Sequence, residues 1–319
     1  MKQFIIKPND AAQRLDKFLK KAVPKMPQSL LYRAIRQKKI KVNGKRTEIS
    51  YRLCDGDVVC LYLNDDLFDT APQEYDFLSA PAELDIVYED ENILLANKKP
   101  GLCVHEDNDH SADTLIARIL HYLYKKGEYD PKKEQSFTPS LCNRIDRNTS
   151  GIVIAAKNAE SLRILNERIK ERELKKYYLC VASGHFAQKS ATLSHFLVRN
   201  ENESLVRVFD KPQKNGRTIL TKYKVLKESK ENSLVEVELL TGRTHQIRAH
   251  FAYVGHPLIG DGKYGSNATN RRYGQKYQLL CSYKLTFAFS DTEHLLGYLN
   301  GRTFTVKNVW FADAFSQTF

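Results

Sequence analysis

The sequence lacks the features that would mark a membrane, secreted or metal-binding protein. No apolar run approaches the roughly 20 residues that a membrane helix needs, and the N-terminus becomes polar too early for a signal peptide. The six cysteines include no Cys-x-x-Cys pair, and no histidine lies at zinc-finger spacing from two of them. We therefore expect a cytoplasmic protein with reduced thiols and no metal site.

Motifs for nucleotide cofactors and serine nucleophiles are also missing. Residues 260–265 (GDGKYG) match the GxGxxG pattern, but they enter a polar stretch without the strand, turn and helix of a dinucleotide site. Gly255 and Gly260 have P-loop spacing, yet no Gly-Lys-Ser/Thr follows. No Gly-x-Ser-x-Gly elbow occurs. We predict a protein that uses no cofactor.

Positive charge is missing from one stretch of the chain and concentrated in the stretch before it. Residues 63–95 contain ten Asp and Glu and no Lys or Arg, whereas residues 1–62 contain 15 Lys and Arg against five Asp and Glu. The net charge of the whole chain is +12. Two basic bodies joined by an acidic strip favour binding of nucleic acid over a charge that only keeps the protein soluble.

The basic N-terminal segment has the pattern of a small α/β module. Apolar periodicity predicts helices over 14–23 and 30–37, the second capped by Ser29. A hairpin turning at Asn43-Gly44 and a strand at 58–62 follow. The basic residues that we expect on the exposed face of this module are Arg33, Arg36, Lys38, Lys39, Lys41 and Lys45.

The rest of the chain predicts a second, larger domain. Residues 64–84 contain prolines and many acids, and we interpret them as an exposed linker. From residue 85 onward, helices and many strands follow one another without regular alternation. This order favours an α+β fold over a doubly wound α/β fold.

Residues 143–151 (NRIDRNTSG) carry the most informative cluster of side chains. Asp146 lies between Arg144 and Arg147, and a polar turn and an apolar run follow. Nearby positive charge favours the ionised form of a carboxyl group, and an ionised Asp can accept a proton or attack an electrophilic carbon. The alternative is an ordinary ion pair in a surface loop.

Residues 239–251 (LLTGRTHQIRAHF) form a second polar cluster, after a strand and a glycine turn. If the chain turns helical after Gly242, Thr244 and Arg248 share one face, and Gln246 and His250 share another. Arg248 can then point at a distant carboxylate while Gln246 binds a substrate. A solvated basic helix is the alternative.

Tyr177 and Tyr178 lie next to each other on a predicted strand, so they face opposite sides of a sheet. We expect one ring in the core and the other in a cleft, where it can stack on a base. His105, His185, His195 and His256 are scattered, and we interpret most of them as structural.

Together, these clusters resemble the RluA/RluC family of RNA pseudouridine synthases. Residues 143–151 are similar to its His-Arg-Leu-Asp-Arg-x-Thr-Ser-Gly signature, 176–184 (KYYLCVASG) to its Tyr-bearing motif, and 242–248 (GRTHQIR) to its third motif. Residues 97–102 and 256–261 also lie where the family has similar segments. Three positions depart from the family pattern: Asn143 for His, Cys281 where Leu-His-Ala is usual, and Pro100 one place late.

The N-terminal segment looks like the small RNA-binding fold named after ribosomal protein S-four. The similar segments, in order, are 14–19, 32–36, 40–45 and 55–57. The two resemblances imply an S-four-like RNA-binding domain over 1–63, an acidic linker over 64–84 and a catalytic domain over 85–319. They also imply a mixed, mainly antiparallel central sheet with flanking helices.

The resemblance implies that specific uridines of structured RNA, with 23S ribosomal RNA as the expected substrate, become pseudouridine without a cofactor. Asp146 would act on the ribose of a flipped uridine, by attack at the anomeric carbon or by assisting elimination. Tyr178 would stack on the uracil, and Arg248 would pair with Asp146. The implied substrate-binding residues are Arg144, Arg147, Thr149, Arg243 and Gln246.

Three other functions stay open on the sequence alone. The first is modification of transfer RNA. The second is a non-catalytic RNA-binding factor for ribosome assembly. The third is a glycosidase for free nucleosides, which would need a second carboxylate. We expect a monomer.

Overall fold

The computed structural model describes residues 1–68, 75–106, 112–200 and 205–319. The N-terminal body contains a small antiparallel sheet and two helices around a core of its own. Its elements are β1 (Lys2–Ile5), α1 (Leu15–Ala22), α2 (Gln28–Arg36), β2 (Ile40–Val42), β3 (Lys45–Arg46) and β4 (Val58–Leu61). The strands lie in the order β1-β4-β2-β3.

Two local signals account for most of this body. Asn43 and Gly44 have positive φ angles of 51° and 72°, as a tight hairpin turn requires, and they join β2 to β3 as predicted. The predicted start of the second helix is wrong. Helix α2 begins at Gln28, so Ser29 lies inside it and Pro27 precedes it. A proline fits there because the first turn of a helix leaves its backbone N–H groups unpaired.

The larger body contains the remaining elements. Its strands are β5 (Ile86–Glu89), β6 (Ile93–Lys98), β7 (Ser140–Leu141), β8 (Ser150–Ala156), β9 (Leu174–Ser183), β10 (Ser190–Asn200), β11 (Leu205–Phe209), β12 (Arg217–Glu228), β13 (Asn232–Leu239), β14 (Leu280–Phe287) and β15 (Thr303–Thr305). Its helices are α3 (Leu115–Lys126), α4 (Ala159–Lys170), α5 (Gln246–Tyr253), α6 (Asn267–Arg272), α7 (Trp310–Asp313) and α8 (Phe315–Thr318). Thr114 and Asn158 cap α3 and α4 through their side chains.

One mixed sheet forms the centre of the larger body. Its strands follow the order β11-β10-β12-β13-β9-β14-β8-β6-β5, with β7 beside β8 and β15 beside β14. Among the pairs within the described ranges, β8 and β14 run parallel and the others run antiparallel. The α+β expectation and the mainly antiparallel sheet are confirmed.

Gly151 makes the parallel pair possible. Its φ is +109°, and a Cβ atom there would lie 2.2 Å from the carbonyl oxygen of Ser282 on β14. Any larger residue would push the two strands apart. The strand that follows the Asp146 loop is therefore fixed directly against β14.

Part of the predicted linker packs instead of lying exposed. Residues 69–74 lie outside the described residues, but Phe77 and Ala80 contact α3, and Ala80 is buried. His121 also bonds the Ala80 carbonyl oxygen at 2.6 Å. The acids and prolines of this segment indicated an exposed linker, but its apolar residues Phe77 and Leu84 pack against the core that includes α3. No helix in the described part of the chain is long and apolar enough to span a membrane.

The two bodies touch through polar contacts. The buried carboxylate of Asp10 accepts hydrogen bonds from Ser136 Oγ at 2.6 Å and Gln135 Nε2 at 2.9 Å. Asn9 Oδ1 accepts one from the backbone N–H of Ala159, at the start of α4. The N-terminal body therefore lies against the loop that precedes β7 and against α4.

Candidate active site

The residues of both polar clusters line one cleft of about 650 Å³. This volume lies within the range of roughly 300–1,000 Å³ that small-molecule sites occupy. The basic residues of its lining are His105, Arg144, Arg147, Lys176, Arg199, Arg243, His245 and Arg248. Its acidic residues are Glu106 and Asp146. The cleft therefore presents two carboxylates among six Lys and Arg side chains, which suits a polyanionic substrate.

Asp146 lies in the loop before β8, with a quarter of its side chain (25%) exposed to the cleft. Its backbone carbonyl oxygen accepts a hydrogen bond from the N–H of Thr149 at 3.0 Å, which closes a tight turn. Asn143, one of the three departures from the family pattern, anchors the other end of the loop. Its side-chain oxygen Oδ1 accepts a hydrogen bond from the backbone N–H of Ile154 at 2.8 Å.

Lys98 holds this loop from below. Its side chain is buried, and its ammonium donates to the carbonyl oxygens of Lys99, Leu102 and Arg147 at 3.0, 2.8 and 2.7 Å. Three acceptors use all three ammonium hydrogens. Burial lowers the pKa of Lys98 to about 8, although Cys103 and Asp146 oppose the shift. The ammonium thus remains largely charged at neutral pH and ties the residue after Asp146 to the β6 end.

Thr149 and Arg147, both predicted to bind substrate, also support the loop. Thr149 is buried, and its hydroxyl accepts a hydrogen bond from Gln278 at 3.1 Å. Arg147 is exposed and donates from Nε to the Gly101 carbonyl oxygen at 3.2 Å. Thr149 is too buried to reach RNA directly, whereas Arg147 still presents its guanidinium to the cleft.

Arg248 bridges two carboxylates. Its Nε and Nη2 atoms donate to the two oxygens of Asp261 at 2.7 and 2.9 Å, and Nη1 donates to Asp146 Oδ2 at 2.7 Å. Burial opposes the charges of Arg248 and Asp261, but their hydrogen bonds outweigh it, so the pKa of Arg248 is raised and that of Asp261 is lowered. The fixed guanidinium keeps a positive charge against Asp146.

The helix that carries Arg248 begins later than predicted. His245 has a left-handed backbone (φ 52°), and α5 starts at Gln246, so Thr244 is exposed in a turn and is not helical. Gln246 is buried, and its carbonyl oxygen accepts hydrogen bonds from Thr241 Oγ1 and the Arg243 N–H, at 2.9 and 3.1 Å. Its amide holds the turn, and Gln246 lines the cleft only from a buried position.

Asp261 and His245 belong to the site but were assigned no role from the sequence. Asp261 lies in the 256–261 segment, and nothing in the sequence there indicates that it pairs with Arg248. His245 Nε2 lies 4.0 Å from Asp146 Oδ2, and its Nδ1 contacts the hydroxyl of Tyr264 at 2.9 Å. Burial lowers the pKa of His245, while Asp146 opposes the shift. A neutral His245 therefore extends the wall beside the carboxylate.

The two tyrosines of β9 face opposite sides of the sheet, as predicted. Tyr178 is buried and lines the cleft, whereas Tyr177 lies on the other face with Lys284 Nζ 4.2 Å from its ring centre. Burial, with the charge of Asp146, raises the pKa of Tyr178 to about 12 against a hydrogen bond with Ser282. Lys176, two residues earlier, shares the cleft face, and burial lowers its pKa.

Cations surround the mouth of the cleft. Arg144 and Arg243, both predicted to bind substrate, are exposed there, and so is Arg199 of β10, which the sequence did not indicate. His105 also lines the cleft, whereas the other three scattered histidines, His185, His195 and His256, do not. Desolvation, and then the charge of Arg144, lower the pKa of His105. The signal available in the sequence was the position of His105 shortly after the glycine turn at Gly101.

The basic face predicted for the N-terminal body is present. Arg33 and Arg36 project from the exposed side of α2. Lys38, Lys39 and Lys45 are exposed as well, and Lys41 is half-buried with its Nζ 5.4 Å from the ring centre of Tyr62. These side chains form a solvent-facing cationic surface.

The chain resembles known proteins along most of its length. The family model for RNA pseudouridylate synthase matches residues 92–253, and the S4 domain model matches residues 13–59. Ribosomal large subunit pseudouridine synthase C of Vibrio cholerae is 34% identical over 92% of this chain and 91% of its own. An uncharacterized RNA pseudouridine synthase of Mycoplasma capricolum is 32% identical over 98% of this chain and 99% of its own.

A solved structure shares the catalytic fold. Human RNA pseudouridylate synthase domain containing 1 has a TM-score of 0.54 and 26% identity, over 73% of this chain and 94% of its own. The sequence motifs, the sheet and the family match agree. The chain belongs to the RNA pseudouridylate synthase family and carries an S4 domain near its N-terminus.

Proposed function

We propose that this enzyme isomerises specific uridines of large-subunit ribosomal RNA and that Asp146 is its essential group. The carrying observation is the placement of Asp146, which is held by Arg248 and opens into a cationic cleft. The ribosomal RNA substrate rests on the relative from Vibrio cholerae, which aligns over more than nine-tenths of both chains. We also propose that the enzyme is a cytoplasmic monomer and needs no cofactor.

The free oxygen of Asp146 suits chemistry at a sugar. Oδ2 accepts the hydrogen bond from Arg248, whereas Oδ1 accepts none from the residues that the structure describes. Oδ1 can attack the anomeric carbon of a flipped uridine or remove the 2′ proton. In either route the N-glycosidic bond breaks, the uracil turns, and its carbon 5 bonds to the sugar. Carbon 5 loses a proton and N1 gains one, so no electrons are exchanged.

Tyr178 contributes a flat ring with a protonated hydroxyl to the cleft that Asp146 faces. A pKa of about 12 keeps the phenol neutral at physiological pH, so Tyr178 does not act as a general base in the free enzyme. We assign it to stacking on the flipped uracil, with a hydroxyl that can donate a hydrogen bond. The proton of carbon 5 then passes to another acceptor.

The polar residues around the cleft divide into two groups by exposure. Arg144, Arg147, Arg243 and Arg199 reach solvent at the cleft, and we propose that they bind phosphates beside the flipped nucleotide. Thr149 and Gln246 act on the substrate only through the loop and turn that they hold. The S4 domain, proposed to span 1–63, would add phosphate contacts through Arg33, Arg36 and the four lysines of its basic face. The linker over 64–84 and the catalytic domain over 85–319 remain proposals of the same kind.

Substitution of Asp146→Asn tests this assignment because it removes the charge and keeps the shape. Tritium release from ribosomal RNA labelled at carbon 5 of uridine should fall to background, while RNA binding persists. Asp313→Asn, at an exposed carboxylate of α7, is the matched control and should turn over normally. Normal release by a folded Asp146→Asn protein would refute the role of Asp146.

The same assay separates the alternative functions. A non-catalytic assembly factor would bind RNA but release no tritium from carbon 5. A nucleoside glycosidase would release free uracil and would need a second acid in the cleft. Asp261 cannot serve as that acid because it is fully buried and both of its oxygens bind Arg248. Transfer RNA as the labelled substrate tests the remaining alternative.

A further inference from the structure

A chain of polar side chains runs behind α5, on the side away from Asp146. Thr221 Oγ1 on β12 lies 3.0 Å from Gln246 Nε2 and 2.8 Å from His250 Nδ1. His250 Nε2 lies 2.7 Å from His195 Nδ1 on β10, and His195 Nε2 lies 3.4 Å from Asp210. Thr221 and His250 are fully buried, while Asp210 is exposed. This chain of hydrogen bonds thus connects the protein surface, at Asp210, with the turn that contains Arg243.

The direction of each hydrogen bond in this chain follows from one backbone donor. The N–H of Arg243 can only donate, so the Gln246 atom that it meets is the carbonyl oxygen. The amide nitrogen of Gln246 then donates to the Leu220 carbonyl oxygen and to Thr221 Oγ1. Among the described residues, no other acceptor lies within hydrogen-bonding distance of the Thr221 hydroxyl, so we assign its hydrogen to His250 Nδ1.

This order fixes the state of both histidines. His250 accepts at Nδ1, so it is neutral with its hydrogen on Nε2, and burial with the neighbouring His195 lowers its pKa to about 4. Its Nε2–H donates to His195 Nδ1, which leaves the hydrogen of His195 on Nε2 toward Asp210. Tyr253 packs beside His195 at 5.2 Å between ring centres. A further proton on His195 Nδ1 would face the hydrogen of His250 and break the chain.

The geometry of α5 connects this chain to the proposed active site. Residues four apart share a helix face, so Gln246 and His250 both reach Thr221. Arg248, halfway between them, points to the opposite side, where it meets Asp146 and Asp261. Two bonds to one hydroxyl on β12 prevent α5 from rotating about its axis.

We propose that Thr221, His250 and His195 are positioning residues that hold Arg248 against Asp146. The proposal rests on the proposed function because it assigns a purpose to the Arg248–Asp146 contact. None of the three lines the cleft, so their loss should slow the chemical step and leave RNA binding intact.

Thr221→Val tests the chain at its branch point because valine keeps the shape and removes the hydroxyl. Loss of one buried hydrogen-bonding group should lower kcat roughly tenfold, with the dissociation constant for RNA unchanged. Thr221→Ser restores the hydroxyl and should recover most of the rate. Thr218→Val is the matched control, since Thr218 is exposed on the same strand and should not affect turnover.

The protonation state of the histidines gives a readout independent of activity. In the wild-type protein at neutral pH, ¹⁵N NMR of labelled histidine should show His250 neutral with hydrogen on Nε2. Thr221→Val should change this tautomer signal, and Thr221→Ser should restore it. If wild-type protein releases no tritium, the proposed function fails. The NMR result still decides whether the chain of hydrogen bonds through Thr221, His250 and His195 exists.

Any of three results would overturn the proposal. The first is wild-type kcat in a folded Thr221→Val protein, and the second is a His250 that carries its hydrogen on Nδ1. If Thr221→Val does not fold, His195→Leu and His195→Asn provide a second pair. The asparagine oxygen can accept from His250 and should retain turnover, whereas leucine should lower kcat without affecting RNA binding. Equal kcat for this pair would also overturn the proposal.

Discussion

Positive charge is arranged in opposite ways in the two bodies of this protein. On the N-terminal body, Arg33, Arg36 and their neighbouring lysines stand in solvent. In the larger body, Arg248 of the cleft and Lys98 behind the Asp146 loop are buried, and each meets several oxygens at hydrogen-bonding distance. An exposed cation attracts phosphate as one of many and is screened by salt. A buried cation fixes the position of particular atoms and cannot be replaced by its neighbours.

The comparison is tested most severely at Arg248. Arg248→Lys keeps one charge but cannot bind two carboxylates through a planar fork. Leaving Asp261 or Asp146 unpaired costs roughly 3–5 kcal/mol for a buried pair, so single-turnover rates should fall at least a hundredfold and the melting temperature should drop.

Arg272→Lys serves as the control for that experiment. Arg272 donates to Glu231 on the surface, with 64% of its side chain exposed. This exchange should change neither the rate nor the melting temperature. If both exchanges had equally small effects, burial would not distinguish the two kinds of arginine.

Lys98 gives the next largest effect, and it depends on pH. Below its pKa of about 8 the ammonium satisfies three carbonyl oxygens, and above that value one of them loses its donor. We expect kcat to fall as pH rises through about 8. Lys98→Met should lower kcat at neutral pH and flatten this alkaline limb, as a pH profile of tritium release would show.

The stability of the protein distinguishes this effect from alkaline unfolding. The pKa of Lys98 is lower in the folded state than its ordinary value of 10.5. Between about pH 8 and 10.5 the unfolded state therefore binds more protons, and this group raises the free energy of unfolding as pH rises. A loss of activity that coincided with a loss of structure would contradict the role of Lys98.

The smallest effect belongs to the exposed cations. Replacing Arg36, Lys38 and Lys39 together by Gln should leave kcat unchanged and weaken RNA binding. It should also reduce the slope of log affinity against log salt by up to about three, close to one per lost phosphate contact. Lys125→Gln, an exposed lysine of α3, is a control that should leave the slope unchanged. An unchanged slope in the triple variant would show that this face does not meet phosphate.

Local chemistry explains what the sequence could predict. Asp146 and Arg248 each lie in a compact cluster with neighbours that signal their roles, and the pairing between them is present at 2.7 Å. The hairpin at Asn43-Gly44 likewise depends on adjacent residues.

Contacts between distant segments explain what the sequence could not predict. Lys98 and Asp261 look like ordinary surface charges until the fold buries them against the Asp146 loop and α5. The start of α5 depends on the side chain of Gln246, which bonds backbone and hydroxyl groups of two separate strands and their ends. Strands β10 and β11 were not predicted; they lie at one end of the sheet, where few of their side chains are buried.

The position of β14 has a consequence for the protein during its synthesis. This late strand lies between β8, which follows the Asp146 loop, and β9, which carries Tyr178. The close approach at Gly151 leaves no room for a substitute strand with a different path. A nascent chain cannot assemble the cleft until residue 287 has left the ribosome. Because Tyr178 of β9 and Leu280 of β14 both line the cleft, the cleft is complete only after β14 has joined the sheet.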